Sequence, residues 1–152
     1  MTNFQDNAST AATTLLRIAL GIMYLAHGVV LKLFTFGLAG TAAYFQSIGL
    51  PGFLAYLTFF AEAVGGAAIL LGVKARWVAL ALIPFLVGAL VTVHGGNGWV
   101  FSAPGGGWEY PAYLIVLSAA QFLLGDGKFA LAPSKPLALP KRALRRSGAS
   151  FA

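Results

Sequence analysis

Long apolar runs with almost no charge constrain the fold of this chain more than any other feature. In residues 18–73 the only charged side chains are Lys32 and Glu62, and in residues 77–125 the only one is Glu109. The 152-residue chain is 59% hydrophobic and 9% charged, with a mean hydropathy of +0.81, which is too apolar for a soluble domain. Since a membrane helix needs about 20 apolar residues, we expect an integral membrane protein with four spans.

The apolar runs predict an all-α fold, a bundle of four transmembrane helices with one short interfacial helix. The four predicted spans are residues 15–36, 53–72, 77–94 and 108–124. Between the first two spans, residues 41–49 fit the interfacial helix, with Thr41 at its N-cap and Gly49 just after its end. We therefore divide the chain into a four-helix membrane domain, residues 1–131, and a basic, Pro-containing cytoplasmic tail, residues 132–152, which we expect to be irregular.

The distribution of basic residues predicts the orientation. Arg17, Lys74, Arg76 and the six basic residues after position 125 fall on one side of the predicted membrane, and only Lys32 falls on the other. The six are Lys128, Lys135, Lys141, Arg142, Arg145 and Arg146. The positive-inside rule then predicts a multi-pass membrane protein with both termini cytoplasmic. The same clustering makes anionic lipid, and not nucleic acid, the expected partner of the tail.

Glu62 is a single acid inside a predicted span. A charged side chain at the centre of a membrane helix costs roughly 2.5–3.5 kcal/mol on insertion scales, so such an acid needs a partner, a proton or a function. Two interpretations stay open: an acid that fixes helix register, or a group that handles a proton, an ion or a ligand. His27 lies at nearly the same depth on span one, and both residues share helix faces with glycines. We therefore predict that His27 and Glu62 are coupled across spans one and two.

The remaining polar residues of the spans converge on one outward-opening pocket. Its predicted ligand- or proton-handling members are Tyr24, His27, Lys32, Glu62, His94, Asn97 and Glu109, and its predicted aromatic rim is Trp99, Trp108 and Tyr110. Each has a simpler explanation as well, since Trp and Tyr favour membrane interfaces, Lys32 can snorkel, and Glu109 suits a helix N-terminus. The catalytic residues stay unknown at this point.

Cofactor chemistry is limited by what the sequence lacks. The chain has no cysteine, which excludes disulfides, thiolate metal sites and thiol redox chemistry by its own side chains. The two histidines are not spaced for metal binding on one helix, so we expect no metal site. No covalent cofactor is expected, and a quinone head group fits the pocket better, because it needs a proton source near the interface and an apolar cleft.

Several motifs, taken in order, resemble the DoxX family of small four-helix membrane proteins over residues 15–131. They are Arg17-Ile-Ala-Leu-Gly21, Tyr24-Leu-Ala-His27-Gly28, Ile48-Gly-Leu-Pro51, Glu62-x-x-Gly65-Gly66, His94-Gly-Gly-Asn97-Gly98 and Glu109-Tyr110. The resemblance implies a compact multi-pass bundle of a bacterial-type inner (plasma) membrane. It also implies a partner of redox systems, including thiosulfate- and quinone-linked oxidation and complexes that handle oxidative stress. The absence of cysteine argues against direct thiol or sulfur chemistry by this chain.

The sequence thus favours a membrane subunit that supports a redox complex, with a quinone as the candidate ligand, more than a stand-alone enzyme. Its expected partners are the lipid bilayer and either a protein of that complex or a second copy of itself. Two alternatives remain: a non-catalytic membrane anchor or assembly partner, whose polar core only holds the helices together, and a carrier of small molecules or ions.

Overall fold

The apolar runs of the sequence form helices. The computed structural model describes residues 2–137, and the side chains from residue 4 onward. In order, the helical elements are α1 (Thr2–Leu25), a first π-helical segment (Ala26–Thr35), α2 (Leu38–Ser47), α3 (Phe53–Leu71), α4 (Ala75–Ala89), a second π-helical segment (Leu90–His94), a short 3-10 turn (Gly95–Asn97) and α5 (Glu109–Leu124). The prediction of an all-helical fold is confirmed for these residues.

Three helices are long and apolar enough to cross a membrane. They are Phe4–Thr35, Phe53–Leu71 and Ala75–His94, with 32, 19 and 20 residues, and each π-helical segment continues one of them without a break. The fourth apolar helix, α5, has 16 residues and is shorter than a typical span. The described residues therefore contain three long candidate spans and one short apolar helix.

Helix α1 begins much earlier than the predicted start at residue 15. Its first turns are polar, so hydropathy does not mark them. Thr10, Thr13 and Thr14 each donate a side-chain hydrogen bond to the carbonyl four residues earlier, at 2.7, 2.9 and 2.8 Å. Bonds of this kind satisfy the threonine hydroxyls, so these polar residues are accommodated inside the helix.

Small residues let α1 and α3 approach closely. A Cβ atom on Gly21 would lie 2.8 Å from the backbone of Leu70, and one on Gly66 would lie 2.9 Å from the backbone nitrogen of Leu25. Around this contact the buried core contains Leu20, Tyr24, Ile69, Ala79, Leu82, Leu86 and Leu114. Because lipid is as apolar as a leucine core, such close packing is a main source of helix association in a membrane.

Residues 126–137 form a C-terminal strap that lies against the link between α3 and α4. The backbone nitrogens of Leu131 and Ala132 donate to the carbonyls of Leu71 and Gly72, and Lys74 donates back to Ala132. The first part of the predicted irregular tail, residues 132–137, is non-helical but hydrogen-bonded to the bundle. The rest of that tail, residues 138–152 with its remaining four basic side chains, lies outside the described residues.

Two arginines that the sequence marks only as charges at span ends are buried beneath this strap. Arg17 and Arg76 are 2% and 5% exposed, and Asp126 is 7% exposed. The Asp126 carboxylate accepts hydrogen bonds from the backbone nitrogens of Arg76, at 2.7 Å, and of Ser134. Arg17 donates to the carbonyl of Lys128 at 3.0 Å. The strap therefore supplies polar partners to charged groups that the bundle buries.

Candidate functional site

A cavity of about 570 Å³ lies between the helices and is lined by α1 and its π-helical continuation, α2, α3, α4 with its own π-helical end, and the first turns of α5. This volume lies within the range of small-molecule pockets, roughly 300–1,000 Å³. Most of the lining is aliphatic or aromatic. The polar lining residues are Tyr24, His27, Lys32, Thr41, Tyr44, Thr58, Glu62, Thr92, His94 and Tyr110.

Lys32 and Glu62 form an ion pair in the cavity wall. Lys32 Nζ lies 2.6 Å from Glu62 Oε2, and the two side chains are 17% and 14% exposed. A hydrogen bond between two ionised groups is shorter and about twice as strong as one between neutral groups. The partner of Glu62 is therefore Lys32 and not His27, which the sequence analysis expected, although all three side chains line the same cavity.

The first π-helical segment brings His27 and Lys32 to the same side of their helix. At 100° per residue, an α-helix would separate Lys32 from His27, five positions earlier, by about 140° around the axis. A π-helix instead bonds residues five apart, as the 2.9 Å bond from Phe36 N to the Leu31 carbonyl shows. Side chains five positions apart then lie on the same side of the helix. His27 and Lys32 accordingly both face the cavity. Short π-helical insertions are frequent at functional sites.

His27 is held in a defined orientation. Its Nδ1 lies 3.0 Å from the Met23 carbonyl, and its ring stacks on Tyr110 with the centroids 5.8 Å apart and the planes 22° apart. A carbonyl oxygen only accepts, so Nδ1 is the protonated nitrogen of this bond. In the neutral ring, Nε2 is then an acceptor for a hydroxyl group of a ligand.

His94 reaches the cavity from the second π-helical segment. Its Nδ1 lies 2.8 Å from the Gly106 carbonyl, so this nitrogen is also the donor. The bond ties the ring to the glycine-rich loop that joins α4 and α5. Both histidines thus lie on π-helical segments, and both have one ring nitrogen engaged by a backbone carbonyl.

Four predicted pocket residues lie in that loop or at the start of α5 and are not part of the cavity lining. The Asn97 amide nitrogen lies 3.0–3.1 Å from the carbonyls of Val93, Gly105 and Gly106. Glu109 accepts a hydrogen bond from the backbone nitrogen of Phe101 at 3.2 Å. The rings of Trp99 and Trp108 pack edge to face, with centroids 4.4 Å apart. Of the predicted residues, the cavity brings together Tyr24, His27, Lys32, Glu62, His94 and Tyr110.

Sequence reasoning missed the partner of the Tyr24 hydroxyl and the part of the cavity wall that α2 provides. Tyr24 is 1% exposed, and its hydroxyl lies 3.0 Å from the Ser118 hydroxyl on α5, which is fully buried. Ser118 was visible only as a lone hydroxyl in an apolar run. The α2 wall includes Thr41, Tyr44 and Phe45. Its signal in the sequence was the apolar face of the predicted interfacial helix.

The arrangement suits a ligand with a small polar head and an apolar body. Lys32 is a cationic donor, Glu62 is an acceptor, and the two histidines offer further donor or acceptor nitrogens, while the rest of the wall is apolar. Within residues 2–137, no three His, Cys, Asp or Glu side chains lie close enough together to hold a metal ion. These side chains can form hydrogen bonds and exchange protons with the oxygen atoms of an organic ligand.

Comparison with known proteins agrees with the motifs. The family model described as DoxX matches residues 12–95. A protein of Bacillus subtilis (strain 168), named "Putative oxidoreductase CatD", is 36% identical over 117 residues, which cover 77% of this chain and 81% of the relative. No solved structure is significantly similar to the chain. The match to the family model and the extent of the similarity to CatD establish that this chain belongs to the DoxX family.

Proposed function

We propose that this protein is a four-span subunit of a redox complex in the inner (plasma) membrane and that its cavity binds the head group of a quinone. In this proposal α5 is the fourth span. Its 16 residues extend about 24 Å, which is somewhat less than the hydrocarbon core of about 30 Å and is accommodated by local thinning of the bilayer. The excess of basic residues near one end of the bundle supports cytoplasmic termini, with α2 and the glycine-rich loop at the outer interface.

The observation that carries the proposal is the Lys32–Glu62 ion pair in the wall of an apolar cavity. A pair that only held helices together would do so best in a closed interior with no space beside it. Here the space beside the pair has the volume of a ligand pocket, and two histidines line the same space. Ionisable residues inside spans commonly mark pathways for substrates or protons.

The side chains match the demands of quinone chemistry. Lys32 is a donor to a carbonyl oxygen, and Glu62 and a neutral histidine are acceptors for the hydroxyl groups of the reduced form. The apolar remainder of the wall accommodates the ring. The name of the Bacillus relative places that protein among oxidoreductases, which supports the redox class for this chain.

Partner interactions belong to the same proposal. A redox subunit without cysteine has no thiol of its own for electron transfer, so we place this chain beside a protein that carries the electron-transferring group. The basic residues after position 125 favour contact with anionic lipid, each contributing about 1 kcal/mol near the surface.

Binding of a quinone tests the proposal directly. The full-length protein in nanodiscs is titrated with a benzoquinone that carries a single isoprene unit, and binding is measured by calorimetry. Lys32→Met should weaken binding by about tenfold or more, because a hydrogen bond to a charged group contributes about 1.5–3 kcal/mol. Lys74→Met is the matched control, since Lys74 donates to the Pro133 carbonyl outside the cavity.

The outcomes separate the candidate functions. Binding that Lys32→Met weakens and Lys74→Met leaves unchanged supports the quinone site. Absence of binding by the wild-type protein contradicts it. If mass spectrometry of the complex purified in mild detergent then shows the same protein partners for wild type and Lys32→Met, the anchor interpretation replaces the quinone site.

A further inference from the structure

A second depression in the surface adjoins the cavity. It has a volume of about 370 Å³ and is lined by Phe36, Gly40, Thr41 and Tyr44. Phe36, Thr41 and Tyr44 also line the main cavity. We call it the α2 groove, because three of its four residues lie on α2 and the fourth, Phe36, caps the C-terminal end of the first π-helical segment. The groove therefore lies next to the cavity, at the surface of the bundle beside α2.

The α2 groove is open and apolar. Phe36 and Tyr44, on its two sides, are 62% and 47% exposed. No atom lies within 4 Å of the position that a Cβ of Gly40 would occupy, so the helix leaves free space there. The Thr41 hydroxyl already donates to the Gly37 carbonyl at 2.9 Å. The groove therefore offers a ligand mainly hydrocarbon and aromatic surface.

The charged and ionisable side chains lie in the cavity and not in the adjoining groove. The Lys32–Glu62 pair and both histidines line the cavity alone, whereas the groove adds only Gly40 to the residues it shares. A space that is polar at one end and apolar at the other matches an amphiphile with a head and a chain. A peptide would need backbone hydrogen-bond partners, and the backbone of α2 is already bonded within its helix.

We propose that the α2 groove holds the hydrocarbon tail of a membrane-borne ligand whose head occupies the cavity and that the ligand enters from the bilayer by this route. The inference rests on the proposed function, which places the head group in the cavity and α2 at the outer interface. It adds the ligand class: a polyprenyl quinone of the membrane, not a water-soluble quinone. A cavity of about 570 Å³ accommodates a drug-sized body, so a long tail must leave through an opening.

Gly40→Leu tests the inference, because a leucine there fills the groove without touching the ion pair. The space around Gly40 is open, and leucine favours helix more than glycine does, so the variant is expected to fold. Ala39→Leu is the matched control, since Ala39 is exposed on the same helix and is not among the groove residues. Two benzoquinones serve as probes in nanodiscs, one with a single isoprene unit and one with a long polyprenyl tail.

We expect Gly40→Leu to bind the long-tailed quinone at least about tenfold more weakly and the short-tailed quinone within about twofold of wild type. Ala39→Leu should leave both unchanged. Binding of the short-tailed quinone also shows that the variant is folded. Equal effects of Gly40→Leu on both quinones, or no effect on either, would contradict the inference that the groove holds the tail. The proposed head-group site would still stand. If wild type binds neither quinone, the proposed function itself fails.

A measurement on the unaltered protein supplies a second check. After correction for partition into the nanodisc lipid, wild type should bind the long-tailed quinone at least as tightly as the short-tailed one, since the groove accommodates the tail. Binding of the short-tailed probe together with exclusion of the long-tailed one would mean that the cavity has no exit for a chain, and the inference would be wrong.

Discussion

A comparison of two coupling energies tests the geometry of the cavity wall most directly. The Nζ–Oε2 distance of 2.6 Å makes Lys32 the direct partner of Glu62, whereas His27 is bonded to the Met23 carbonyl. Breaking a fully buried ion pair costs about 3–5 kcal/mol, and surface pairs contribute at most about 1 kcal/mol. With side chains 17% and 14% exposed beside an open cavity, we expect a Lys32–Glu62 coupling of about 2 kcal/mol. The His27–Glu62 coupling should stay below about 0.5 kcal/mol.

The assay is a pair of double-mutant cycles on the unfolding of the full-length protein in detergent. One cycle combines Lys32→Met with Glu62→Gln, and the other combines His27→Gln with Glu62→Gln. A change of 2 kcal/mol corresponds to a shift of about 4–8 °C in Tm for a chain of this size. A larger coupling for His27 than for Lys32 would refute the direct Lys32–Glu62 pairing and would support the pair expected from the sequence.

Three further predictions concern the orientation, the strap and the helix contact. A cysteine at Ser47 should react with an impermeant thiol reagent in intact cells and one at Ser147 should not, and the opposite pattern would reverse the proposed orientation. Asp126→Ala should lower the Tm by about 5 °C or more, because two backbone nitrogens lose a buried acceptor, while the exposed control Asp6→Ala should change it little. Gly21→Leu should prevent folding, since its Cβ would lie 2.8 Å from the facing backbone; a variant that melts like wild type would disprove the close α1–α3 contact.

The structure also revises an expectation about truncation. From sequence alone, the tail from residue 134 onward is expected to be dispensable for folding. Ser134 N donates to Asp126, and Arg76 Nη1 donates to the Lys135 carbonyl at 3.2 Å, so a cut at 134 removes partners of buried charged groups. A truncation that keeps residues 1–137 preserves these bonds. It should therefore have a higher Tm than one that ends before residue 134.

Local composition was enough to predict the helical fold and six of the ten polar residues that line the cavity. The scarcity of charge in residues 18–73 and 77–125 leaves helices as the way to satisfy the backbone in lipid, and the approximate limits of the apolar helices followed from it. The sequence also showed glycines on one face of each of the helices α1 and α3, and these glycines allow the two helices to approach closely. Six of the predicted pocket residues line the cavity, because an inward-facing polar side chain in an apolar helix has few other places to lie.

Other features were decided only by the tertiary structure. Pattern analysis placed Lys32 and Glu62 in the same pocket, but the direct pairing of their charged ends at 2.6 Å depends on how the two helices pack. The role of Asn97 depends on how a glycine-rich loop folds back, and glycine permits too many backbone conformations for its sequence to specify one. Arg17 and Arg76 find their partners 111 and 50 residues away in the chain. Local sequence determines the secondary structure that each segment prefers. Contacts between residues so far apart in the chain form only when the helices and the strap pack together.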